Sequence, residues 1–254
     1  MLDLLDFNSH KTIESAVSDA INGHVNLALT NKRSLQEQRS YLGASAVGDA
    51  CERRVQFDYA GAKREKEFEP KTLRIFDRGH VWEEIARCWL RDAGFDLRTT
   101  SEKTGKIFSF SQMDGRFKGH VDGVIVAGPK IEGVGYPCLW EHKAVGAKSY
   151  TSILRNGLAK ERPAYADQVA IYQAYIDGLT EHPAIFSITN CDTCEQTHLP
   201  IPFDAERAQR ASDRAVRIIE STEREELLPR PFGNRNGFEC RMCAFADRCW
   251  SLPA

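Results

Sequence analysis

Two apolar segments in the middle of the chain carry isolated charged residues, and this pattern restricts the fold more than any other feature. Residues 117–126 are rich in β-branched side chains and include Asp122, and residues 136–144 include Glu141 and Lys143. Successive side chains of a strand alternate between its two faces, so Glu141 and Lys143 share one face. We expect two strands of one sheet that bring two carboxylates and an amine together.

Helical patterns surround these strands. Apolar residues recur at helical spacing in segments 8–33, 45–60, 71–93, 149–158, 164–176 and 204–226, with Asn8 and Ser9 as candidate caps of the first. Strand patterns occupy 106–110, 184–191 and 195–202, and the last two form a predicted hairpin. This order predicts a mixed α/β (α+β) class, with a mixed central sheet flanked by helices. Residues 228–254 have a loop-like composition, and a loop of this length needs a stabilising interaction to keep it in place.

Composition limits the functional class. The chain has 254 residues, 42% of them hydrophobic, and a net charge of −2, which is typical of a globular protein and predicts one elaborated domain. No apolar run approaches the roughly 18 residues of a membrane span, and the first residues lack the features of a signal peptide. We therefore expect a cytoplasmic protein with no membrane partner. The near-neutral charge excludes a uniformly basic nucleic-acid coat but allows a local basic groove.

The three charged strand residues form a candidate hydrolytic site. Carboxylate oxygens such as those of Asp122 and Glu141 suit Mg²⁺ or Mn²⁺, which polarise a phosphodiester and acidify a water. A lysine such as Lys143 orients that water or offsets the developing charge. The alternative interpretation is a surface strand with a Glu–Lys pair.

Two helices contribute further candidates. His80, Glu83 and Glu84 share one helix face and offer an additional metal ligand, although a solvated acidic face is the better explanation of Glu84. Gln168 and Tyr172 are one helical turn apart on the helix after the Lys143 strand. Their alternative role is that of a core tyrosine beside a satisfied glutamine.

Eight cysteines in an apparently unexported chain favour metal ligation over a disulfide framework. Cys240, Cys243 and Cys249 form a C-x2-C-x5-C run. Three thiolates need a fourth ligand to complete a Zn²⁺ site or a [4Fe–4S] cluster, and the spacing alone leaves the metal open.

The remaining cysteines have simpler explanations. Cys191 and Cys194 flank a predicted two-residue hairpin loop, and we interpret them as a turn with two paired thiols rather than a second metal site. Cys88 and Cys138 are predicted to be core residues of a helix and a strand.

The order of the motifs resembles the PD-(D/E)XK nuclease superfamily, and in particular its RecB-like exonuclease branch. The resemblance covers about residues 71–176, although Val121 stands where the motif name has proline. Its matching residues are Gly79 and Glu83, the run Gly119, His120, Val121, Asp122 and Gly123, then Glu141, His142 and Lys143, and finally Gln168 and Tyr172.

This resemblance implies a restriction-endonuclease-like core and a role for each matched residue. Asp122 and Glu141 would bind the divalent metal, and Lys143 would be catalytic. The first-motif ligand would be Glu83 or, as the less favoured choice, His80. The helix of Gln168 and Tyr172 would support the site and contact DNA.

The same branch contains iron–sulfur members, among them CRISPR-associated exonucleases and their phage-encoded relatives. These carry one cysteine before the nuclease motifs and C-x2-C-x5-C after them. The resemblance therefore implies that Cys51 is the fourth ligand of a [4Fe–4S] cluster. Such a cluster connects the N-terminal and C-terminal parts of the domain. The implied organisation is a single nuclease domain, 1–254. It has an N-terminal helix in 1–35, a nuclease core in 70–205 and a cluster region made of 36–60 with 228–254, which forms a helical and loop lid.

A basic groove is predicted by position. Residues 141–162 carry five basic and two acidic side chains, a local charge of +3 in a chain of −2. Basic residues hold phosphates without reading sequence, and aromatic rings stack on unpaired bases. The candidate contacts are Arg53, Arg54, Arg74, Arg78, Lys148 and Arg155 for phosphate, and Trp82, Tyr150 and Tyr165 for bases, each with a solvated or core role as the alternative.

The resulting hypothesis is a metal-dependent DNA exonuclease that acts on single-stranded ends and holds a structural [4Fe–4S] cluster. The expected partners are DNA and proteins of a recombination, replication or CRISPR adaptation complex. Two alternatives remain open: a non-catalytic DNA-end-binding or adaptor subunit of such a complex, and a zinc-clipped endonuclease.

Overall fold

The computed structural model describes residues 13–102 and 104–253, so the candidate caps Asn8 and Ser9 lie outside the described residues. The helices are α1 Ile13–Ser34, α2 Ala44–Val47, α3 Glu52–Tyr59, α4 Pro70–Asp92, α5 Ala147–Asn156, α6 Leu158–Glu161, α7 Pro163–Tyr175, α8 Ala205–Glu223, α9 Phe238–Arg241 and α10 Ala246–Ser251. The strands are β1 Leu42–Gly43, β2 Asp96–Arg98, β3 Ser109–Gln112, β4 Phe117–His120, β5 Gly123–Ala127, β6 Cys138–Val145, β7 Ala184–Asn190 and β8 Gln196–Ile201. None of the described helices is both long and apolar enough to cross a membrane.

The chain divides into two compact units. Among the described residues, 13–38 and 67–77 form the first unit, and 39–66, 78–102 and 104–253 form the second. In the first unit, Arg74 donates a hydrogen bond to Asn26 at 2.7 Å, and the rings of Phe68 and Phe76 meet edge to face with centroids 5.2 Å apart. The predicted domain limits stay a prediction.

The strands of the second unit form two mixed sheets rather than the single sheet that we expected. One has the order β1-β4-β3, with β1 parallel to β4, and the other has the order β2-β5-β6-β7-β8. In the larger sheet, β6 and β7 are parallel and the other neighbours are antiparallel. Mixed sheets flanked by helices are the predicted class, and the hairpin of β7 and β8 is confirmed.

The predicted strand 117–126 is wrong as a single element. The chain leaves the smaller sheet after β4 and enters the larger sheet at β5, so Asp122 lies in the connection between them. Gly123 is the first residue of β5. A Cβ atom at this position would lie 2.7 Å from Leu97 Cδ1, which is too close unless the leucine side chain shifts. The interruption has no local signature, because each half is apolar enough to be a buried strand.

The core lies on both faces of the larger sheet. Phe186 and Ile188 of β7 pack with Ile171 of α7 and Ile218 of α8, and all four are fully buried. Trp140 belongs to a second, smaller cluster on the same sheet, which also includes Ala86 of α4. Cys138 is in this cluster, as predicted, and is fully buried.

The predicted helix 45–60 is two helices, because the chain turns between Gly48 and Cys51. A Cβ atom on Gly48 would collide with Cα of Ala164, so only glycine allows this close approach to α7. Cys51 has an extended backbone and caps α3, and its N–H donates to the Asp49 carboxylate at 2.8 Å. The turn therefore places Cys51 at the start of a helix.

Other boundaries also differ from the predictions. The helix predicted at 149–158 ends at Asn156, and Gly157 with its φ of 87° separates α5 from α6. The strand predicted at 106–110 lies at β3, and β2 was not predicted. The tail predicted to be loop-like contains α9 and α10. These short elements have too few residues to establish a hydrophobic period.

Candidate active site

Strand β6 presents its charged residues on one face. Lys143 Nζ donates to Glu141 Oε1 at 2.5 Å, while His142 faces the opposite side. Glu141 is fully buried, and its Oε1 also accepts from Gln168 Nε2 at 2.7 Å. Glu141 Oε2 is buried and has no hydrogen-bond partner among the described residues. One carboxylate oxygen is thus held by two donors, and the other is free for a ligand.

Asp122 joins this group through the backbone. Its Oδ2 accepts from the N–H of His142 at 2.9 Å, which fixes the connection between the two sheets against β6. The charge of Asp122 acts on Glu141, Lys143 and Glu83. The structure therefore brings together the two carboxylates and the amine that the sequence singled out.

Burial and charge shift the pKa values in this group. Burial, reinforced by the charge of Asp122, raises the pKa of Glu141 to about 8. Burial alone would lower the pKa of Lys143, but the carboxylates of Glu141 and Asp122 outweigh it and hold that pKa above its usual range. One lysine does not compensate the carboxylates of Glu141 and Asp122, and a divalent cation would.

Glu83 of α4 reaches the same group. It is half-buried, and burial followed by the charge of Asp122 raises its pKa. Arg87 Nη2 donates to Glu83 Oε1 at 2.5 Å and to the Asp122 carbonyl at 3.5 Å. His80 is exposed and acts on Glu83 through its charge.

Arg87 was not among the predicted site residues. Its position one helical turn after Glu83 is the spacing of a helix ion pair and could have indicated it. It also pairs with the more exposed Glu84, which agrees with a surface role for that residue. Arg87 therefore positions Glu83 beside the Asp122 connection.

Helix α7 supports Glu141 from the side. Gln168 and Tyr172 are both buried, and Gln168 Nε2 donates to Tyr172 Oη at 3.2 Å as well as to Glu141. Tyr172 fits against β4 because residue 119 is glycine, and a Cβ atom there would lie 2.5 Å from Tyr172 Cε1. The two-residue motif thus couples the helix to the carboxylate.

The opposite face of β6 is structural. His142 Nε2 lies 2.9 Å from Thr189 Oγ1, and the His142 ring stacks on Trp140 with centroids 5.8 Å apart. Burial lowers the pKa of His142 to about 3, so its imidazole is neutral. Thr189 is a supporting residue that no sequence pattern indicated.

No preassembled metal cluster exists in the described parts of the chain, since no three His, Cys, Asp or Glu side chains are close enough to hold an ion. The carboxylates are instead drawn to cations, Glu141 to Lys143 and Glu83 to Arg87. The donor set nevertheless fits a hard divalent ion, because the buried Glu141 Oε2 lacks a partner and the Asp122 carboxylate is adjacent.

The four predicted cluster cysteines line one cavity. Cys51 comes from the start of α3, Cys240 and Cys243 from around α9, and Cys249 from α10. All four are free thiols. Burial raises the pKa of the Cys51 and Cys243 thiols, and the charges of the other sulfurs raise it further. Residues far apart in sequence therefore meet around one space, although among the described residues no three of these thiols lie close enough together to hold an ion.

Several predicted surface residues have other positions. Arg53 is 1% exposed and bonds to the tail, so it is not available to DNA. Tyr150 is buried, with its hydroxyl 2.6 Å from Thr197 Oγ1, and is not a stacking platform. Cys88 is exposed rather than a core residue, because it lies on the outer face of α4.

The predicted hairpin loop is longer than two residues, since the backbone of Asn190 bonds both to Cys194 and to Glu195. Cys191 and Cys194 are free thiols in this turn, so they do not form a disulfide.

Some predicted DNA contacts have positions compatible with that role. Arg78 is exposed on α4, and Lys148 and Arg155 are exposed on α5, where they are seven positions apart and so lie on one face. Tyr165 is half-buried, with Lys143 Nζ 5.5 Å from its ring centre. Trp82 is half-buried against Trp89. Arg74 lies in the first unit and Arg54 pairs with Asp49.

Comparison with solved structures shows that other proteins share this fold. The chain is similar to an alkaline exonuclease (LHK-Exo) from Laribacter hongkongensis, with 15% identity and a TM-score of 0.51, over 74% of this chain and 90% of that one. The mixed α/β architecture is consistent with the predicted restriction-endonuclease-like core.

Two further structures align at lower scores. They are LHK-Exo in complex with dAMP, at 15% identity and a TM-score of 0.49 over 73% and 89% of the two chains, and SSO0001, at 15% and 0.49 over 92% and 98%. No family model and no curated protein matches the chain.

Proposed function

We propose that the protein is a metal-dependent DNA exonuclease of the PD-(D/E)XK type that acts on single-stranded ends. The observation that carries this proposal is the environment of Glu141. A fully buried carboxylate beside Asp122 has one oxygen held by Lys143 and Gln168 and the other without a partner. A protein does not leave a buried oxygen uncompensated without cost, so a ligand there explains the arrangement.

The residues that would hold Mg²⁺ or Mn²⁺ are Asp122 and Glu141, with Glu83, or less favourably His80, as a further ligand. Such an ion supplies Lewis-acid polarisation of the scissile phosphate and lowers the pKa of a water. Asp122 and Glu141 supply the negative charge that selects a divalent cation. Gln168 and Tyr172 hold the Glu141 side chain so that its second oxygen keeps its direction.

Lys143 has a separate task. Its Nζ donates to Glu141 Oε1 at 2.5 Å, so the ammonium group is held beside the carboxylates that would bind the metal. Its positive charge orients the attacking water and offsets the charge that develops on the phosphate. The Tyr165 ring beside it limits the directions that the ammonium group takes.

DNA would be held by exposed basic side chains. Arg78 on α4 and Lys148 and Arg155 on α5 contact phosphates in this proposal, and the half-buried Tyr165 stacks on a base. A fold shared with an alkaline exonuclease supports an exonuclease over other phosphodiesterases. Arg74 stays a predicted contact, while the burial of Arg53 removes it from the set.

We also propose that Cys51, Cys240, Cys243 and Cys249 hold a structural [4Fe–4S] cluster. In support, four free cysteines from three segments line one cavity, and soft thiolates are the ligands of such clusters and of Zn²⁺. The absorption spectrum of anaerobically purified protein distinguishes the two metals, because only the iron–sulfur cluster is brown.

The deciding experiment is digestion of end-labelled single- and double-stranded DNA of both polarities, with Mn²⁺ and with EDTA. Release of nucleotides from single-stranded ends only when Mn²⁺ is present supports the proposal. Binding of ends without cleavage at any Mn²⁺ or Mg²⁺ concentration would instead identify an adaptor subunit. Cleavage of closed circular DNA would identify an endonuclease.

A further inference from the structure

Arg53 is a buried cation with an unusual set of partners. Its guanidinium donates to the carbonyl of Leu228, to the carbonyl of Pro253 at 2.7 Å and to Cys249 Sγ at 3.9 Å. The residue is 1% exposed. Two of the three partners are neutral carbonyls, and the third is a predicted cluster ligand.

This arrangement leaves the charge of Arg53 unexplained. Among the described residues no carboxylate pairs with Arg53, whereas the neighbouring Arg54 pairs with Asp49. A buried charge without a counter-charge is costly. The Cys249 sulfur is the one partner of Arg53 in the described chain that becomes negative, and it does so when it is a metal-bound thiolate.

The cavity wall contains a second unsatisfied donor. Trp250 lines the cavity, and its Nε1 is buried without a hydrogen-bond partner in the described chain. An indole N–H only donates, so its natural partner is an acceptor such as a thiolate or cluster sulfide. Arg230 holds the ring, with its guanidinium carbon 4.0 Å from the ring centre.

We propose that Arg53 and Trp250 are positioning residues of an anionic metal–thiolate centre, with Arg53 as its counter-charge and hydrogen-bond donor to Cys249 Sγ and the Trp250 indole N–H as a second donor. This inference rests on the proposed metal centre at the four cysteines. Four thiolates bring more negative charge than a [4Fe–4S]²⁺ core or Zn²⁺ neutralises, so the centre is a net anion. A cation and an N–H donor stabilise such an anion, and stabilise its reduced state most.

The chain offers a matched control for the structural role of Arg53. Gln56 is also buried on α3 and bonds to the same tail, through the Glu226 carbonyl at 2.6 Å and the Leu228 N–H at 2.9 Å. None of its hydrogen bonds reaches a sulfur. A Gln56→Met variant therefore loosens the tail without changing the charge beside the centre.

The test compares Arg53→Gln, Arg53→Lys, Gln56→Met and Trp250→Phe in full-length protein purified anaerobically. The readouts are metal content, the rate of metal loss to a colorimetric chelator and, for an iron–sulfur centre, the midpoint reduction potential. Arg53→Gln should lose metal about tenfold to a hundredfold faster, as for removal of other residues that support metal ligands, and should have a more negative potential. Arg53→Lys should recover part of both changes.

Trp250→Phe keeps an aromatic ring for Arg230 and should shift the potential in the same direction by a smaller amount. If Gln56→Met and Arg53→Gln accelerate metal loss equally and leave the reduction potential unchanged, Arg53 only anchors the tail and the inference is wrong. Wild-type protein that holds neither iron nor zinc would overturn the metal centre itself and this inference with it. Wild-type protein that holds metal, with Arg53→Gln indistinguishable from it, would overturn the inference alone.

Discussion

Asp122 Oδ2 accepts a hydrogen bond from the backbone N–H of His142 at 2.9 Å. This bond joins the connection between the two sheets to the strand that carries Glu141 and Lys143. The position of one carboxylate relative to the other therefore depends on the backbone and not on a flexible side-chain pair. The proposed metal site inherits this rigidity, which a site of hydrolytic chemistry requires.

Lys143→Ala should reduce cleavage by about a hundredfold or more, because removal of a preorganised charge beside the reacting group costs that much. DNA binding, measured by fluorescence anisotropy in Ca²⁺, should change little. Lys130→Ala is the control, since Lys130 is an exposed lysine between β5 and β6 and is not among the proposed DNA contacts. Cleavage by Lys143→Ala within about threefold of the parent rate would contradict the role of Lys143.

Asp122→Asn and Glu141→Gln should each remove the metal-dependent activity, and their effects should not add, since either change dismantles the same site. The Asp122→Asn variant keeps a side-chain oxygen that accepts from the His142 N–H, so the connection stays in place and only the charge is lost. Single and double variants are compared by kcat/KM in Mn²⁺. Additive losses would indicate two independent roles.

Glu83→Ala should weaken the Mn²⁺ dependence more than His80→Ala. Glu83 is half-buried and is held by Arg87 near Asp122, whereas His80 is exposed. A matched Mn²⁺ titration of the two variants measures the effect. If His80→Ala requires the higher Mn²⁺ concentration, the first-motif ligand is His80.

Two glycine substitutions should have opposite effects on stability. Gly119→Ala places a Cβ atom against the rings of Phe110 and Tyr172, and we expect a loss of about 1–3 kcal/mol in the free energy of unfolding from overpacking. Gly79→Ala lies within α4 and meets nothing within 4 Å, so we expect a gain of about 0.5–1 kcal/mol from helix propensity. Urea denaturation of both variants measures the difference, and destabilisation by Gly79→Ala would show an uncounted constraint there.

Alanine at Cys51, Cys240, Cys243 or Cys249 should remove the bound metal and the brown colour, and should expose the tail from residue 228 to protease. The physical reason is that the proposed centre would tie α3 to α9 and α10, whose cysteines line one cavity. Cys191→Ala and Cys194→Ala are the controls and should leave metal content unchanged. Iron that survives Cys51→Ala but falls in a Cys191 or Cys194 variant would place the fourth ligand in the hairpin.

The helices and the pairing of charges along β6 were predictable because they depend on local periodicity. Helix α4 matches its prediction within one residue at each end, and Gly94 after it has the positive φ of 88° expected of a helix terminator. Strand alternation correctly placed Glu141 and Lys143 on one face. The order of charged motifs likewise indicated which residues the fold would bring together.

The division of 117–126 between two sheets was decided by tertiary structure. Each half is apolar, and only the pairing of β4 with β3 and of β5 with β6 separates them at Asp122. The same holds for the break at Gly48, which depends on how closely α2 approaches Ala164 of α7. Such contacts join residues far apart in the chain, so no local pattern contains them.

Arg53 shows most clearly where the sequence alone stops. Arg53 was predicted to contact phosphate, because it lies on a helix expected to flank the basic groove. The chain buries it instead, since the carbonyls of Leu228 and Pro253 and the sulfur of Cys249 surround it when the tail folds back on α3. Spacing and residue type by themselves determined which side chains are candidates for metal binding and catalysis. Long-range packing decided which of them face solvent, which face each other and which are enclosed, because burial is a property of the whole folded chain.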